Sequence, residues 1–336
     1  MARARSVVVG HIVMIVLGLA VLVIGAEVLV RASAFIAIRL GVRPLFVGLT
    51  IVAAGTSAPE LVASVAAALR GSSGLAVGNI VGSNIANLLL VCGVAALIRP
   101  VAVSATALRR DGPVVLCAAL LFWMVCALPA LNLVAGVALL AGQVAYIAVC
   151  YRSERRATAA GGAGVENSAG DSAAAWFVTA SPAVEVTAAL ACLAGIGLLA
   201  VGGAVLIDAA ISLAGAMGVS DAVVGLTIVA VGTSLPELAT SALAALRGRA
   251  DIAIGNVIGS SIFNVLGIGG VTAMLSHGYP VPERIVGVDF PVMIAVTLVF
   301  LLVAATGRRI GRREGALLTA GFGLYMSSVW LLGSPA

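Results

Sequence analysis

Ten apolar runs, each bounded by charged or turn-forming residues, divide the chain. They lie near 10–30, 44–69, 74–97, 112–128, 131–151, 182–207, 221–246, 252–275, 286–306 and 314–333. An α-helix of about 20 apolar residues crosses a hydrocarbon core of about 30 Å. The pattern therefore predicts an all-α polytopic membrane protein of ten transmembrane helices. The first run, from about Ile12 to Val30 behind Arg3 and Arg5, is long for the apolar stretch of a signal peptide and has no convincing cleavage site. It reads as the first membrane helix. Between the fifth and sixth runs, 152–181 is rich in Ala, Gly and Ser and carries most of the mid-chain charge. It reads as a flexible cytoplasmic linker. The expected organisation is a five-helix unit over 1–151, the linker over 152–181, and a second five-helix unit over 182–336.

The two units repeat each other. With an offset of 177 residues, 47–94 lies over 224–271 without a gap, and about 29 of 48 positions are identical. The match reaches back weakly, with GAEVLVRAS (25–33) over GGAVLIDAA (202–210). Five spans per unit is an odd number, so the second unit enters the membrane inverted. Basic residues collect on the cytoplasmic side of membrane proteins. With both termini outside, the inside loops hold fifteen of the nineteen basic residues, and Arg3, Arg5, Arg70 and Arg284 stay out. Inverted repeats with interrupted helices characterise secondary transporters, whose binding sites lie near the bilayer midplane.

Each unit also places Pro and Glu together inside an apolar run, as GTSAPEL (55–61) and GTSLPEL (232–238). Proline removes a donor and clashes with the carbonyl four residues back. The helix is therefore expected to break near Gly55 and Thr56, and near Gly232 and Thr233. Freed carbonyls in lipid must be satisfied, and a hard cation accepts carbonyl and carboxylate oxygens. Glu60 and Glu237 follow the breaks directly. Polar residues recur every four positions as Thr56, Glu60 and Ser64, as Asn79, Ser83 and Asn87, and in the second unit as Thr233, Glu237 and Ser241 and as Asn256, Ser260 and Asn264. Such spacing lines one face of a helix. The oxygen-rich set suits Ca²⁺ or Na⁺. Gly78 with Gly82 and Gly255 with Gly259 form small-residue steps that permit close helix approach.

Composition narrows the alternatives. The chain is 62% hydrophobic and 10% charged, against about 25% charged in soluble domains. The net charge of +5 lies in short loops, where it orients helices and signals no nucleic-acid partner. The five cysteines are scattered without a C-x-x-C pair, so they indicate neither a metal site nor a disulfide framework. Glu27, Glu185, Asp208, Asp221, Asp289, His11 and His277 fall near expected helix ends, where solvation or loop pairing accounts for them.

The pairs GTSAPEL…GNIVGSNIAN and GTSLPEL…GNVIGSSIFN resemble the two alpha-repeats of the cation/calcium antiporter superfamily, with prokaryotic sodium/calcium exchangers as the nearest branch. The resemblance implies a central Ca²⁺ site from the carboxylates of Glu60 and Glu237 and the carbonyls of Thr56 and Thr233. It implies flanking Na⁺ sites from Ala53, Thr56, Ser57 and Ser83 on one side and Ala230, Thr233, Ser234 and Ser260 on the other, with Asn87 and Asn264 at the centre. The first and sixth helices would form a long, loosely packed pair that slides across the core. Several exchangers of this superfamily carry an aspartate at the position of Asn264, so two central carboxylates remain here rather than three.

The expected function is secondary antiport of Na⁺ against Ca²⁺ across a prokaryotic plasma membrane, with no covalent chemistry, no cofactor and no obligate protein partner beyond the lipid bilayer. A Ca²⁺/H⁺ antiporter using the same two glutamates is the first alternative. A channel or a non-transporting scaffold is the second, and an inverted duplication around a closed polar cage suits either poorly.

Overall fold

The computed structural model describes residues 2–40, 42–127, 131–159, 182–216, 230–276, 278 and 280–333. The expected linker beyond residue 159, the start of the expected seventh span (221–229) with Asp221, and His277 lie outside the described residues. The first unit contains α1 (Ala2–Leu40), α2 (Pro44–Thr56), α3 (Ala58–Leu69), α4 (Ser73–Ile98), α5 (Gly112–Cys126) and α6 (Leu133–Ala159). The second contains α7 (Pro182–Ala216), the short turn α8 (Ala230–Gly232), α9 (Leu235–Leu246), α10 (Ala250–Leu275), α11 (Ile285–Ala305) and α12 (Arg312–Gly333). Two short strands, β1 (Val101–Ala102) and β2 (Arg309–Ile310), pair antiparallel with Val101 opposite Ile310.

The molecule is a polytopic helical membrane fold. Six described helices are long and apolar enough to cross a bilayer, and α2 with α3, bent by 47°, makes a seventh such span. The described parts of the runs at 112–128, 221–246 and 314–333 fold as α5, as α8 with α9, and as α12. One boundary differs from expectation. The fifth run continues as helix to Ala159, eight residues into the stretch read as linker. Arg152, Arg155 and Arg156 are straight-chained and good helix formers, and Glu154 in the same turns is held by partners on two other elements.

Local geometry recurs 177 residues apart. Gly71 and Gly248 sit at φ 74° and 70°. Each follows the last residues of a helix, where Ser72 N–H donates to the Ala67 carbonyl and Arg249 N–H to the Ala244 carbonyl, at 2.9 and 2.8 Å. This is a glycine-terminated helix end with a six-to-one bond, and only a residue without Cβ takes that conformation cheaply. π-Helical turns open at Asn87 (Asn87–Val91) in α4 and span Phe263–Ile268 in α10. Such turns insert an extra residue and occur often at functional sites.

The helices α4 and α10 form the buried centre, while α1 and α7 lie at the periphery. The peripheral pair runs antiparallel with backbones in contact. A Cβ added to Gly18 would stand 2.8 Å from the Leu206 nitrogen, and one on Gly202 would stand 2.9 Å from the Gly18 carbonyl. Gly25 and Gly195 repeat that contact at 3.0 Å one heptad away. The two helices are therefore tightly packed against each other. Small residues at the seam allow it. Large apolar side chains such as Leu193 and Leu324, 64% and 73% exposed, face outward, as lipid contact requires.

Loops expected to share the inside collect at one end of the bundle. Arg247 of the α9–α10 turn and Arg31 both reach Glu27. Arg99 packs over Gly248, and Arg312 donates to the Ile98 carbonyl at 3.4 Å. Arg43, just before α2, donates to Glu154 Oε2 and Oε1 at 2.8 and 2.6 Å and to Thr106 at 3.1 Å. Its ion-paired hydrogen bond to Glu154 holds the guanidinium more firmly protonated than usual. Asp111 and Glu154, both buried, share Arg110, and Tyr146 donates to Asp111 at 3.2 Å. This network fixes the beginning of α2, the helix that leads to the first break.

Candidate ion-binding site

The two breaks fall at Ser57 and Ser234, whose backbones leave helical geometry at ψ 9° and 7°. The next helix restarts at Ala58 and at Leu235, with Pro59 and Pro236 in its first turn. Proline is well placed there, because the first-turn N–H groups have no helical acceptor. Glu60 and Glu237 follow in the same first turn, where the positive end of the helix dipole favours an anion. Both glutamates are 0% exposed. The fold thus buries two carboxylates, one from each unit.

The units hold each other's glutamates. Ser57 donates to Glu237 Oε1 at 2.8 Å, and Ser234 donates to Glu60 Oε1 at 3.5 Å. The helices cross in the same sense. α3 packs against the π turn that contains Asn264, and α9 packs against the one that contains Asn87. Asn79 donates to the Glu60 carbonyl at 3.2 Å and to Ser64 at 2.9 Å. Asn256 does the same to the Glu237 carbonyl at 3.4 Å and to Ser241 at 2.9 Å. The first residue of each asparagine stripe is thus bonded to the helix that carries the glutamate of its own unit.

More than half of the buried side-chain polar atoms that lack a partner, among the described residues, belong to this region. They are Glu60 Oε2, Glu237 Oε2, Thr233 Oγ1 and both amide atoms of Asn87 and of Asn264. A buried polar atom without a partner costs about 1–3 kcal/mol, so such a concentration calls for an explanation. Two of these atoms are carboxylate oxygens and three are hydroxyl or amide oxygens. Among the described residues no group of three or more His, Cys, Asp or Glu side chains gathers. The donors here are carboxylate, amide, hydroxyl and carbonyl oxygens, which fit a hard cation and not a soft one.

The flanking residues are arranged differently from the grouping expected above. Ser260 donates to the Ala53 carbonyl at 3.5 Å, and Thr56 donates to Ala53 O at 3.3 Å and to Asn256 Oδ1 at 3.1 Å. Ser260 therefore stands beside Ala53 of the first unit. The reason is steric. Gly255 and Gly259 let α10 touch the backbone of α2, where a Cβ on Gly259 would lie 2.6 Å from the Leu49 carbonyl. Ser83 is buried on α4, one turn from both Asn79 and Asn87. Ala230 opens α8, and Thr233 and Ser234 follow it.

Two residues at the site carried no signal in the sequence. Ile196 and Ile207, both on α7, lie against Gly55 and Gly232, where an added Cβ would collide with their side chains. Each glycine beside a break is thus a socket for an isoleucine of the peripheral helix.

Known proteins share this plan. The family model described as sodium/calcium exchanger protein matches residues 10–152 and 187–331. CaxA of Alkalimonas amylolytica is 36% identical over 313 residues, covering 92% of this chain and 95% of that protein. The sodium/calcium exchanger MaX1 of Methanosarcina acetivorans is 33% identical over 350 residues, covering 92% and 95%. The solved structure of the sodium-calcium exchanger NCX_Mj soaked with 2.5 mM Na⁺ and 0.1 mM Ca²⁺ superposes with a TM-score of 0.79 at 28% identity, over 95% of this chain and 98% of that one. A polytopic chain that matches this family along both of its units belongs to the sodium/calcium exchanger proteins, which are antiporters and not enzymes.

Proposed function

We propose that this chain exchanges Na⁺ for Ca²⁺ across a prokaryotic plasma membrane by alternating access. Ten spans in two inverted five-helix units would carry the exchange, with both termini outside. The observation that carries the reading is the pair Glu60 and Glu237, each buried, each bonded by a serine of the opposite unit, and each with an oxygen to spare. Two opposed carboxylates neutralise one divalent ion. The Thr56 and Thr233 carbonyls, freed by the breaks, complete a central Ca²⁺ site, and Asn87 and Asn264 flank it.

Ala53, Thr56, Ser57 and Ser260 with Glu237 form one Na⁺ site, and Ala230, Thr233, Ser234 and Ser83 with Glu60 form the other. The proximity of Ser260 to Ala53 and the 2.8 Å bond from Ser57 to Glu237 support this grouping. A relative whose name states sodium/calcium exchange along 92% of this chain supports the choice of ions. The positive-inside count supports the orientation.

The test is ⁴⁵Ca²⁺ uptake into proteoliposomes loaded with Na⁺, K⁺ or protons. Uptake driven by an outward Na⁺ gradient alone is the expected result. Uptake that follows only a pH gradient assigns the chain to Ca²⁺/H⁺ exchange.

A further inference from the structure

Asn256 makes three side-chain contacts that together constrain one hydroxyl. Its amide nitrogen is engaged by Ser241 and by the Glu237 carbonyl, so its oxygen faces the other way, toward Thr56. Asn79 has the same two donor contacts in the other unit, which makes this orientation of the amide a feature of both units. The Thr56 hydroxyl has one proton and three acceptors within reach, Ala53 O at 3.3 Å, Asn256 Oδ1 at 3.1 Å and the Glu237 carboxylate. Ser260 also points at Ala53 O. A hydroxyl that gives its proton to the Ala53 carbonyl occupies a lone pair which a cation needs. One that gives it to Asn256 leaves the Ala53 carbonyl, which already accepts the Ser57 N–H at 3.0 Å, with one competitor fewer for its second lone pair, and turns its own lone pairs away from the amide, toward the same space.

We propose that Asn256 is a positioning residue for Na⁺. It takes the Thr56 proton, so that the Thr56 hydroxyl presents its lone pairs to the ion and does not compete with the ion for the Ala53 carbonyl. The inference rests on the flanking-site reading above, since it assigns a role to a residue behind two of that site's oxygens. It adds that the flanking site is built across units, with the orienting amide on α10 and the oriented ligands on α2. The opposite unit shows the unengaged form of the same device. Thr233 Oγ1 is buried without a partner, and Asn79 donates to Glu60 O and Ser64 as Asn256 does to their counterparts.

The test is a double-mutant cycle of Asn256→Leu and Thr56→Val in purified protein, reading the Na⁺ concentration that displaces half of the bound ⁴⁵Ca²⁺. Thr56→Val keeps the backbone carbonyl and removes only the hydroxyl. Each single variant is expected to raise that concentration about tenfold, the worth of one hydrogen bond that orients an ion ligand. The double variant is expected to be no worse than either single one, because both remove the same contact. Multiplying effects in the double variant would make Asn256 a purely structural residue and overturn the proposal. If Asn256→Leu does not fold, Asn256→Ala enters the same cycle. Glu237→Gln is measured in parallel. Full Ca²⁺ binding by that variant overturns the site reading and the proposal with it, whereas lost Ca²⁺ binding together with a multiplicative cycle overturns the positioning role alone.

Discussion

Ser57 and Glu237 stand 180 residues apart, yet the serine hydroxyl meets the carboxylate at 2.8 Å. The bond crosses from the break of one unit to the acid of the other. Its counterpart runs the other way, from Ser234 to Glu60 at 3.5 Å, so each glutamate is held by the serine of the opposite unit. On the function proposed above, the duplication would supply one shared site built from both units, as inverted-repeat transporters have at the interface of their repeats.

The glutamates are the first thing to test. Glu60→Gln and Glu237→Gln keep size and hydrogen-bonding length and remove one unit of charge. At a contact distance of about 2.4 Å the attraction of a divalent ion to that charge is about 3 kcal/mol even at the dielectric constant of water. Each variant is expected to bind Ca²⁺ at least roughly a hundredfold more weakly while eluting as a folded protein. Equilibrium ⁴⁵Ca²⁺ binding checks it, and wild-type affinity in either variant would remove the acids from the site.

The isoleucine sockets give a steric prediction. Gly55→Ala drives a methyl into Ile196, and Gly232→Ala drives one into Ile207, where the nearest atom would be 2.5 Å away. Overpacking of this kind costs about 1–3 kcal/mol. Gly55→Ala is expected to lower Tm and slow exchange, and Ile196→Ala in the same chain is expected to restore both. A second substitution that fails to restore them shows that Gly55 is needed for its backbone and not for the space above it.

Much of this was legible in the sequence, and the limits are physical. The breaks at Ser57 and Ser234 follow from Pro59 and Pro236, because proline chemistry is local. The polar faces of Asn79, Ser83 and Asn87, and of their counterparts, follow from a period of four. Spacing within a helix does not say which neighbour a face meets. The resemblance sets Ser260 with the Ala230 group, whereas the contact of Gly255 and Gly259 with α2 brings it beside Ala53. Ile196 and Ile207 were invisible, since an isoleucine in an apolar helix matches lipid contact as well as it matches a socket. The continuation of α6 to Ala159 depends on Glu154 finding Arg43, 111 residues away, which no local pattern records.

The crossed grouping of serines makes its own prediction. Ser83→Ala and Ser260→Ala are each expected to raise the Na⁺ concentration needed to displace Ca²⁺, with smaller effects on Ca²⁺ affinity. Ser260→Ala is expected to couple to Thr56→Val by about 0.5 kcal/mol or more and to be additive with Thr233→Val. The opposite pattern of coupling would return Ser260 to the Ala230 set.

Charge in the cage, finally, predicts a response to voltage. Glu60 and Glu237 are the two acids of the site, and Asn264 is neutral. With both acids ionised the empty site carries −2. One Ca²⁺ would bring it to zero, and three Na⁺, the number that the resemblance to the exchanger superfamily implies, would bring it to +1. Two protons also bring it to zero. A three-sodium cycle would therefore move one net charge, while a two-proton cycle would move none. Carrying one charge across the whole membrane is worth about 2.3 kcal/mol per 100 mV, which shifts the attainable Ca²⁺ gradient more than tenfold, since tenfold takes about 1.4 kcal/mol. The sign follows from direction. When three Na⁺ leave a vesicle and one Ca²⁺ enters, net positive charge leaves, so an inside-positive potential is expected to accelerate ⁴⁵Ca²⁺ uptake into Na⁺-loaded proteoliposomes and an inside-negative one to slow it. A valinomycin-clamped K⁺ gradient sets the potential in either sense. Uptake that ignores that potential and tracks a pH gradient instead would identify protons as the exchanged ion.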